Sequence, residues 1–221
     1  MIFTQQKSTE EIVKMLEGNK NIFLISCSGC AEVCETGGEK VCILLKEKLQ
    51  QAGFNIVSCC NVDFMCNKLL VSLKISRYKQ KINEADCILV LSCGIGVQSA
   101  AMVIEKPVYP ANNTLYLGGF QGIWPSMERC AECGDCVLDL TGGICPITNC
   151  SKSLLNGPCG GAKNGKCEID KELDCGWEKI YRRLESIGKL DNLRKLIKIR
   201  DYAKMFPKTE LRKSIFYDIE K

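Results

Sequence analysis

Residues 130–175 limit most strongly how this chain can fold. They read Cys130-Ala-Glu-Cys133-Gly-Asp-Cys136, followed by Cys145-Pro146, Cys150, Cys159, Cys167 and Cys175. Between these eight cysteines lie mostly turn formers: Gly134-Asp135, Thr141-Gly142-Gly143, Asn156-Gly157-Pro158, Gly160-Gly161 and Asn164-Gly165. A segment so poor in apolar residues cannot close a hydrophobic core of its own. Disulfides or metal must hold it instead.

Composition separates those two. The 221-residue chain has 17 cysteines, an odd number that suits a closed disulfide framework poorly. Its opening, Met1-Ile-Phe-Thr-Gln-Gln-Lys7, lacks the apolar h-region of a secretory signal. The expectation is a cytoplasmic protein, in which thiols stay reduced and clustered cysteines are metal ligands. The chain has no histidine, so imidazole-containing zinc sites and histidine acid–base catalysis are excluded. What remains is iron–sulfur clusters or four-cysteine zinc.

The spacing favours iron. Cys130-x2-Cys133-x2-Cys136 with the later Cys145-Pro146 resembles the ferredoxin run, though the gap to Cys145 is longer. Zinc sites usually show two separate Cys-x2-Cys pairs, and this region has no second one. Cys130, Cys133 and Cys136 are expected to share a site. Its remaining ligand is Cys145, Cys150 or a later cysteine. Eight cysteines suffice for two four-ligand sites.

Elsewhere the pattern alternates strand and helix. Ser8 and Glu11 form a capping box ahead of a helix over 8–17 that carries Ile12, Met15 and Leu16 and is closed by Gly18-Asn19. Residues 21–26, 54–58 and 87–92 are short apolar runs that predict buried parallel strands. A fourth strand is expected from Pro107-Val108-Tyr109, continued at 114–117. A helix bearing Val41, Leu44, Leu45, Leu49 and Ala52 on one face ends at Gly53, and another follows Cys66 with Leu69, Leu70 and Leu73. The fold class is α/β: an open parallel sheet with helices on both faces over 1–119, a small Cys-rich, ferredoxin-like domain over 126–177, and a helical extension over 178–221.

Open parallel sheets carry their functional groups beyond the carboxyl ends of the strands. Those positions hold Cys27, Cys59-Cys60 and Cys93, so three separate loops should converge on a second metal site, expected to be a [4Fe–4S] cluster. Its candidates are Cys27, Cys30, Cys34, Cys66 and Cys93, one more than four ligands require, with Cys59 and Cys60 in reserve. Cys42 in a helix and Cys87 in a strand are expected to pack as small hydrophobes. Cys93-Gly-Ile-Gly96 looks superficially like a dinucleotide turn but lacks the third glycine and the acidic residue that should follow.

Gly118, Gly119 and Pro125 mark a linker, with Phe120 and Trp124 expected to pin it to a domain or partner. The basic amphipathic segments after Cys175, ending in Phe206-Pro207 and Ile215-Phe216-Tyr217, suit a cap on the cysteine-rich domain, a docking arm, or simply a solvated helix face. The net charge of +4 is too mild for a nucleic-acid partner, and no apolar run reaches a membrane span. No carboxylate stands in a recognisable acid–base setting.

The string from Cys130 to Gly161, with Thr-Gly-Gly-Ile-Cys-Pro at 141–146 and Leu-Leu-Asn-Gly-Pro-Cys-Gly-Gly at 154–161, is similar to the C-terminal domain of one family. It resembles the small (MetV-type) subunit of two-subunit methylenetetrahydrofolate reductases of acetogenic and related anaerobic bacteria. Cys167-Glu-Ile, Cys175-Gly-Trp, Ser26-Cys27-Ser-Gly-Cys30 and Gly37-Gly38-Glu39-Lys40 resemble the same family, so the likeness spans roughly residues 8–180. The resemblance implies an electron-transfer subunit with two or more [4Fe–4S] clusters. Flavin and folate would sit on a separate barrel-shaped catalytic subunit, which reduces methylene- to methyl-tetrahydrofolate in the methyl branch of the acetyl-CoA (Wood–Ljungdahl) pathway. Reduced ferredoxin or a larger electron-transfer complex would be the donor. The family also includes zinc proteins, so one site is open to zinc. The alternative reading is a structural scaffold whose cysteines hold zinc.

Overall fold

The computed structural model describes residues 1–119 and 128–206. The chain divides into two compact units, residues 1–120 and 121–221. The linker aromatics Phe120 and Trp124, Pro125 and the tail from Pro207 onward lie outside the described residues.

The amino-terminal unit is mixed α/β, a parallel sheet flanked by helices. Its elements are β1 (Ile2–Gln6), α1 (Thr9–Met15), β2 (Asn21–Cys27), α2 (Cys30–Val33), α3 (Gly38–Gln51), β3 (Asn55–Val62), α4 (Lys68–Ser76), α5 (Lys79–Glu84), β4 (Cys87–Leu91), α6 (Gly94–Ala101), β5 (Val108–Pro110) and β6 (Asn112–Gly118). The expected capping box opens α1: Ser8 Oγ accepts from Glu11 N–H at 3.1 Å, and Glu11 Oε2 accepts from Ser8 N–H at 3.0 Å.

The parallel strands run in the order β3-β2-β4-β5. Successive residues point to opposite faces, so each apolar strand feeds two cores. Phe23, Ile25, Cys60, Val62, Ile88 and Val90 pack on one side. Ile22, Leu24, Ile56, Cys87, Leu89 and Leu91 pack on the other, against Ile12, Leu16, Leu45 and Leu49 of the helices.

Three expectations need correction. First, 107–117 is not one strand. β5 joins the parallel sheet beside β4, whereas β6 pairs antiparallel with β1, from Ile2↔Leu117 to Gln6↔Asn112. β1 is absent from the sequence reading because Met1–Lys7 is too short and polar to announce a strand. Its pairing rests on a partner more than a hundred residues away, with Phe3 stacked on Tyr116 at 4.6 Å. Second, β3 runs on to Val62, so Cys59 and Cys60 lie inside a strand and not at its end. Third, Leu44 is 58% exposed; the buried face of α3 is Cys42, Leu45 and Leu49.

In the carboxy-terminal unit the described elements are β7 (Arg129–Cys130), α7 (Pro146–Asn149), α8 (Gly176–Ser186), α9 (Asn192–Lys195) and a 3-10 turn at Tyr202–Met205. Its core is small: Val137, Trp177, Ile180, Leu184 and Leu196 are buried, with Leu140, Ile144 and Leu155 against them. α8 therefore shares its core with the loop that follows Cys136. No described helix is long and apolar enough to cross a membrane.

Core thiols make the amino-terminal unit alkali-sensitive. Burial pushes the Cys60 thiol up to about 12, and burial with the nearby Asp86 charge pushes Cys87 up to about 11, from an ordinary 9.0. Above pH 9 the unfolded chain loses these protons while the folded chain keeps them, so stability falls as the pH rises from 9 toward 11–12. The urea midpoint should drop across that window. It should drop less steeply in a Cys87→Val variant, which has no thiol to ionise; equal slopes would refute the assignment.

Candidate metal centres

The sheet order places the first site. After β2 the chain crosses to β3 on one side, and after β4 it crosses to β5 on the other. The loops diverge at the carboxyl ends of β2 and β4, where open α/β sheets leave a crevice. Cys27 is the last residue of β2, and Cys93, just past β4, is the N-cap of α6. Cys30 opens α2. Cys66 stands in the turn between β3 and α4, one residue before Asn67, whose Oδ1 caps α4 by accepting from Leu69 and Leu70 N–H at 3.0 and 3.3 Å.

The packing that brings these turns together is local and tight. Ser28 N–H donates to the Val62 carbonyl at 2.9 Å, and Cys27 Sγ faces the Asp63 carbonyl at 3.9 Å. Gly29 has no side chain because the Asp63 carbonyl and the Phe64 ring would stand 3.0 Å from its Cβ. Gly96 serves the same end: a Cβ there would sit 2.9 Å from Cβ of Met65, beside Cys66. That close approach explains the glycine of Cys93-Gly-Ile-Gly96 without a dinucleotide. Gly94 N–H, at the head of α6, is held by Thr114 Oγ1 at 2.8 Å.

The electrostatics show which thiols meet. The Cys66 thiol is pushed above its ordinary value first by burial and then by the neighbouring sulfurs of Cys27, Cys93 and Cys30. Cys66 thus lies within electrostatic reach of three thiols from two other loops. The fifth candidate, Cys34, points elsewhere, its Sγ facing the Ile2 carbonyl at 3.8 Å. Cys59 and Cys60 are strand residues that pack on opposite faces of the sheet, Cys59 against Cys42.

In the carboxy-terminal unit Cys150, Cys159, Cys167 and Cys175 line one pocket with Lys152, Glu168 and Trp177. Lys152 and Glu168 pair at its rim. Cys159 Sγ accepts from Gly161 N–H at 3.4 Å, and Cys175 is the N-cap of α8. The Cys167 thiol is held below its ordinary value chiefly by the Ser151 hydroxyl, 3.5 Å from its sulfur. Trp177 Nε1 donates to the Leu154 carbonyl at 3.0 Å and anchors the pocket to the small core.

The Cys130–Cys136 loop is folded by left-handed residues: Glu132 has φ 50° and Gly134 φ 71°. This lets Glu132 N–H turn back to Cys130 Sγ at 3.3 Å. Arg129 donates from its guanidinium to the Thr148 carbonyl at 2.8 Å and accepts from Thr148 Oγ1 at 3.0 Å, tying the loop's start to α7, whose N-cap is Cys145.

All these donors are thiols, which suits iron–sulfur or zinc chemistry. They are gatherings of donors around a common space and not closed coordination shells: among the described residues no three ligand-type side chains are drawn together tightly enough to hold a metal ion as they stand. The spacing of the sequence marked these cysteines as candidate ligands. The partition of the last eight is visible only in the pocket, because Cys150, Cys159, Cys167 and Cys175 are separated by seven or eight residues in no recognised pattern.

Residues 109–203 match the family model described as methylene-tetrahydrofolate reductase C terminal, which links the chain to methylenetetrahydrofolate reductases. No curated protein matches it. Two structures of arylmalonate decarboxylase, one of them a glycine-to-cysteine mutant in the sulfate ion associated form, share 13% identity over 47% of the chain, with a TM-score of 0.32. The match spans 45% and 46% of those proteins' own length, less than half in each case.

Replacing one member of the crevice quartet should cost a whole site. Cys66→Ser is expected to lower the metal content of the purified chain by one centre, about four irons if the centre is a cubane, while Cys34→Ser leaves it unchanged. Elemental analysis with acid-labile sulfide reads the difference, and the opposite pattern would sink the assignment.

Proposed function

We propose that this chain is the iron–sulfur electron-transfer subunit of a methylenetetrahydrofolate reductase. In this reading it relays electrons to the flavin of a partner catalytic subunit that reduces 5,10-methylene- to 5-methyl-tetrahydrofolate. One observation carries the reading: Cys27, Cys30, Cys66 and Cys93, from three loops, converge at the switch point of the parallel sheet. The match over residues 109–203 supplies the link to the reductase.

Clusters held on these thiolates would supply one-electron transfer, which a flavin on the partner could pair into a hydride. The chain's own residues do the holding. Cys27 and Cys93 are nearly buried, so a centre there is shielded from water on the sheet side. Cys93 and Cys30 stand at helix starts, where backbone N–H groups without a helical partner offset thiolate charge. In the second unit Cys175 is placed the same way at the head of α8, and Gly161 N–H offsets charge on Cys159. The chain has no histidine, and in this reading the folate chemistry belongs to the catalytic partner.

Anaerobically purified chain should contain about eight or more irons with matching sulfide, absorb in the visible, and bleach with dithionite. Mixed with its flavin-bearing partner and reduced ferredoxin, it should support methyl-tetrahydrofolate formation that the partner alone does not sustain from that donor. Zinc alone, with no visible absorption, would replace this reading with a structural scaffold. Turnover while the clusters stay oxidised would rule out the relay.

A further inference from the structure

The segment after α9 is unusually well tethered for an exposed tail. Leu196 is buried in the small core with Val137, Trp177, Ile180 and Leu184. Two residues on, the Lys198 backbone is gripped from both sides by Asn156: its N–H donates to Asn156 Oδ1 at 2.9 Å and its carbonyl accepts from Asn156 Nδ2 at 2.8 Å. The Lys198 and Lys204 ammonium groups then close on the two oxygens of one carboxylate, Asp135, at 2.5 and 2.8 Å. Asp135 lies in the turn Cys133-Gly-Asp-Cys136. The chain at Lys204 also lies directly on that turn: a Cβ on Gly134 would stand 2.6 Å from the Lys204 carbonyl oxygen.

Isolated surface ion pairs contribute little, since solvent screens them and two long side chains must be ordered. Here two cations share one anion, and the backbone around them is already fixed at Leu196, Asn156 and Gly134. The turn they hold needs holding. Glu132 occupies a left-handed conformation that a non-glycine residue adopts at a cost.

We infer that residues 196–206 form a strap that keeps the Cys130–Cys136 loop in its folded conformation, with Lys198 and Lys204 as positioning residues acting through Asp135. This rests on the reading of that loop as a metal centre. It adds that the centre's retention depends on a segment far from the cysteines in sequence. Residues that orient ligands from outside the coordination shell typically change metal affinity 10- to 100-fold when removed.

The test uses the full chain. Cys133→Ser first defines what share of the metal belongs to this loop. Release of that share to a ferrous chelator is then timed in wild type, in Lys198→Met/Lys204→Met and in Lys198→Arg/Lys204→Arg. The methionine pair should release it at least about tenfold faster while the remaining metal leaves at the wild-type rate. The arginine pair should behave as wild type. In the methionine pair the visible reduction midpoint of this centre should also move to more negative potential, because two nearby cations are lost. Unchanged release and midpoint in the methionine pair would overturn the strap and leave the metal centre standing. Equal metal in wild type and Cys133→Ser would overturn the centre itself, and the strap with it. If all sites released metal faster together, the lysines would be stabilising the whole unit and the positioning role would be refuted.

Discussion

Parallel pairing of β2 with β4 governs the amino-terminal unit. The register from Ile22↔Cys87 to Ser26↔Leu91 brings the two strands to their carboxyl ends side by side. The crossovers that follow depart in opposite directions, which makes the ends of β2 and β4 the switch point of the sheet. Cys27, the last residue of β2, and Cys93, two residues past β4, stand at those ends. β3, paired with β2 through Cys27↔Val62, delivers the turn that carries Cys66 to the same place. The two glycines at 29 and 96 then let those turns approach to van der Waals contact.

The carboxy-terminal unit works from the opposite balance. Among the described residues its core cluster is five buried apolar side chains with a few partners against them. Its loops are shaped by left-handed backbone at Glu132, Gly134, Gly142, Gly143, Ser153, Asn164 and Gly165 and by short hydrogen-bonded turns. Trp177 joins the two parts of the unit. It is buried in the core while its indole N–H holds the Leu154 carbonyl, and it lines the pocket of four cysteines. Leu196 joins the same core, and the segment after it is tied to the unit through Asn156 and Asp135.

Cysteines in this chain stand in two kinds of setting, and burial tells them apart. Cys42, Cys60 and Cys87 lie inside apolar clusters where ionisation is heavily disfavoured, and they serve as small core residues. Cys66, Cys130, Cys136 and Cys159 are exposed, in turns rich in glycine and polar residues, where packing gives no reason for a thiol. Cys27 and Cys93 combine both: buried by the sheet below, they open toward other thiols above.

Much of this was legible in the sequence. The absence of histidine and the run of cysteines among turn formers made thiols the expected donors, because no imidazole is present and cysteine recurs throughout those loops. Apolar runs broken by glycines determined a parallel sheet, and the capping box determined where α1 begins, since both depend on neighbours a few residues apart. Tertiary structure decided the rest. It separated β6 from β5 and paired it with β1, chose Cys66 over Cys34 for the crevice, grouped Cys150 with Cys159, Cys167 and Cys175, and laid Lys198 and Lys204 on Asp135. Each of these joins residues that lie on different turns or are tens of residues apart. Strands that are apolar on both faces carry no alternation from which a register could be read. Which thiols meet therefore depends on how the strands pair and where the crossovers turn, and local sequence does not encode that.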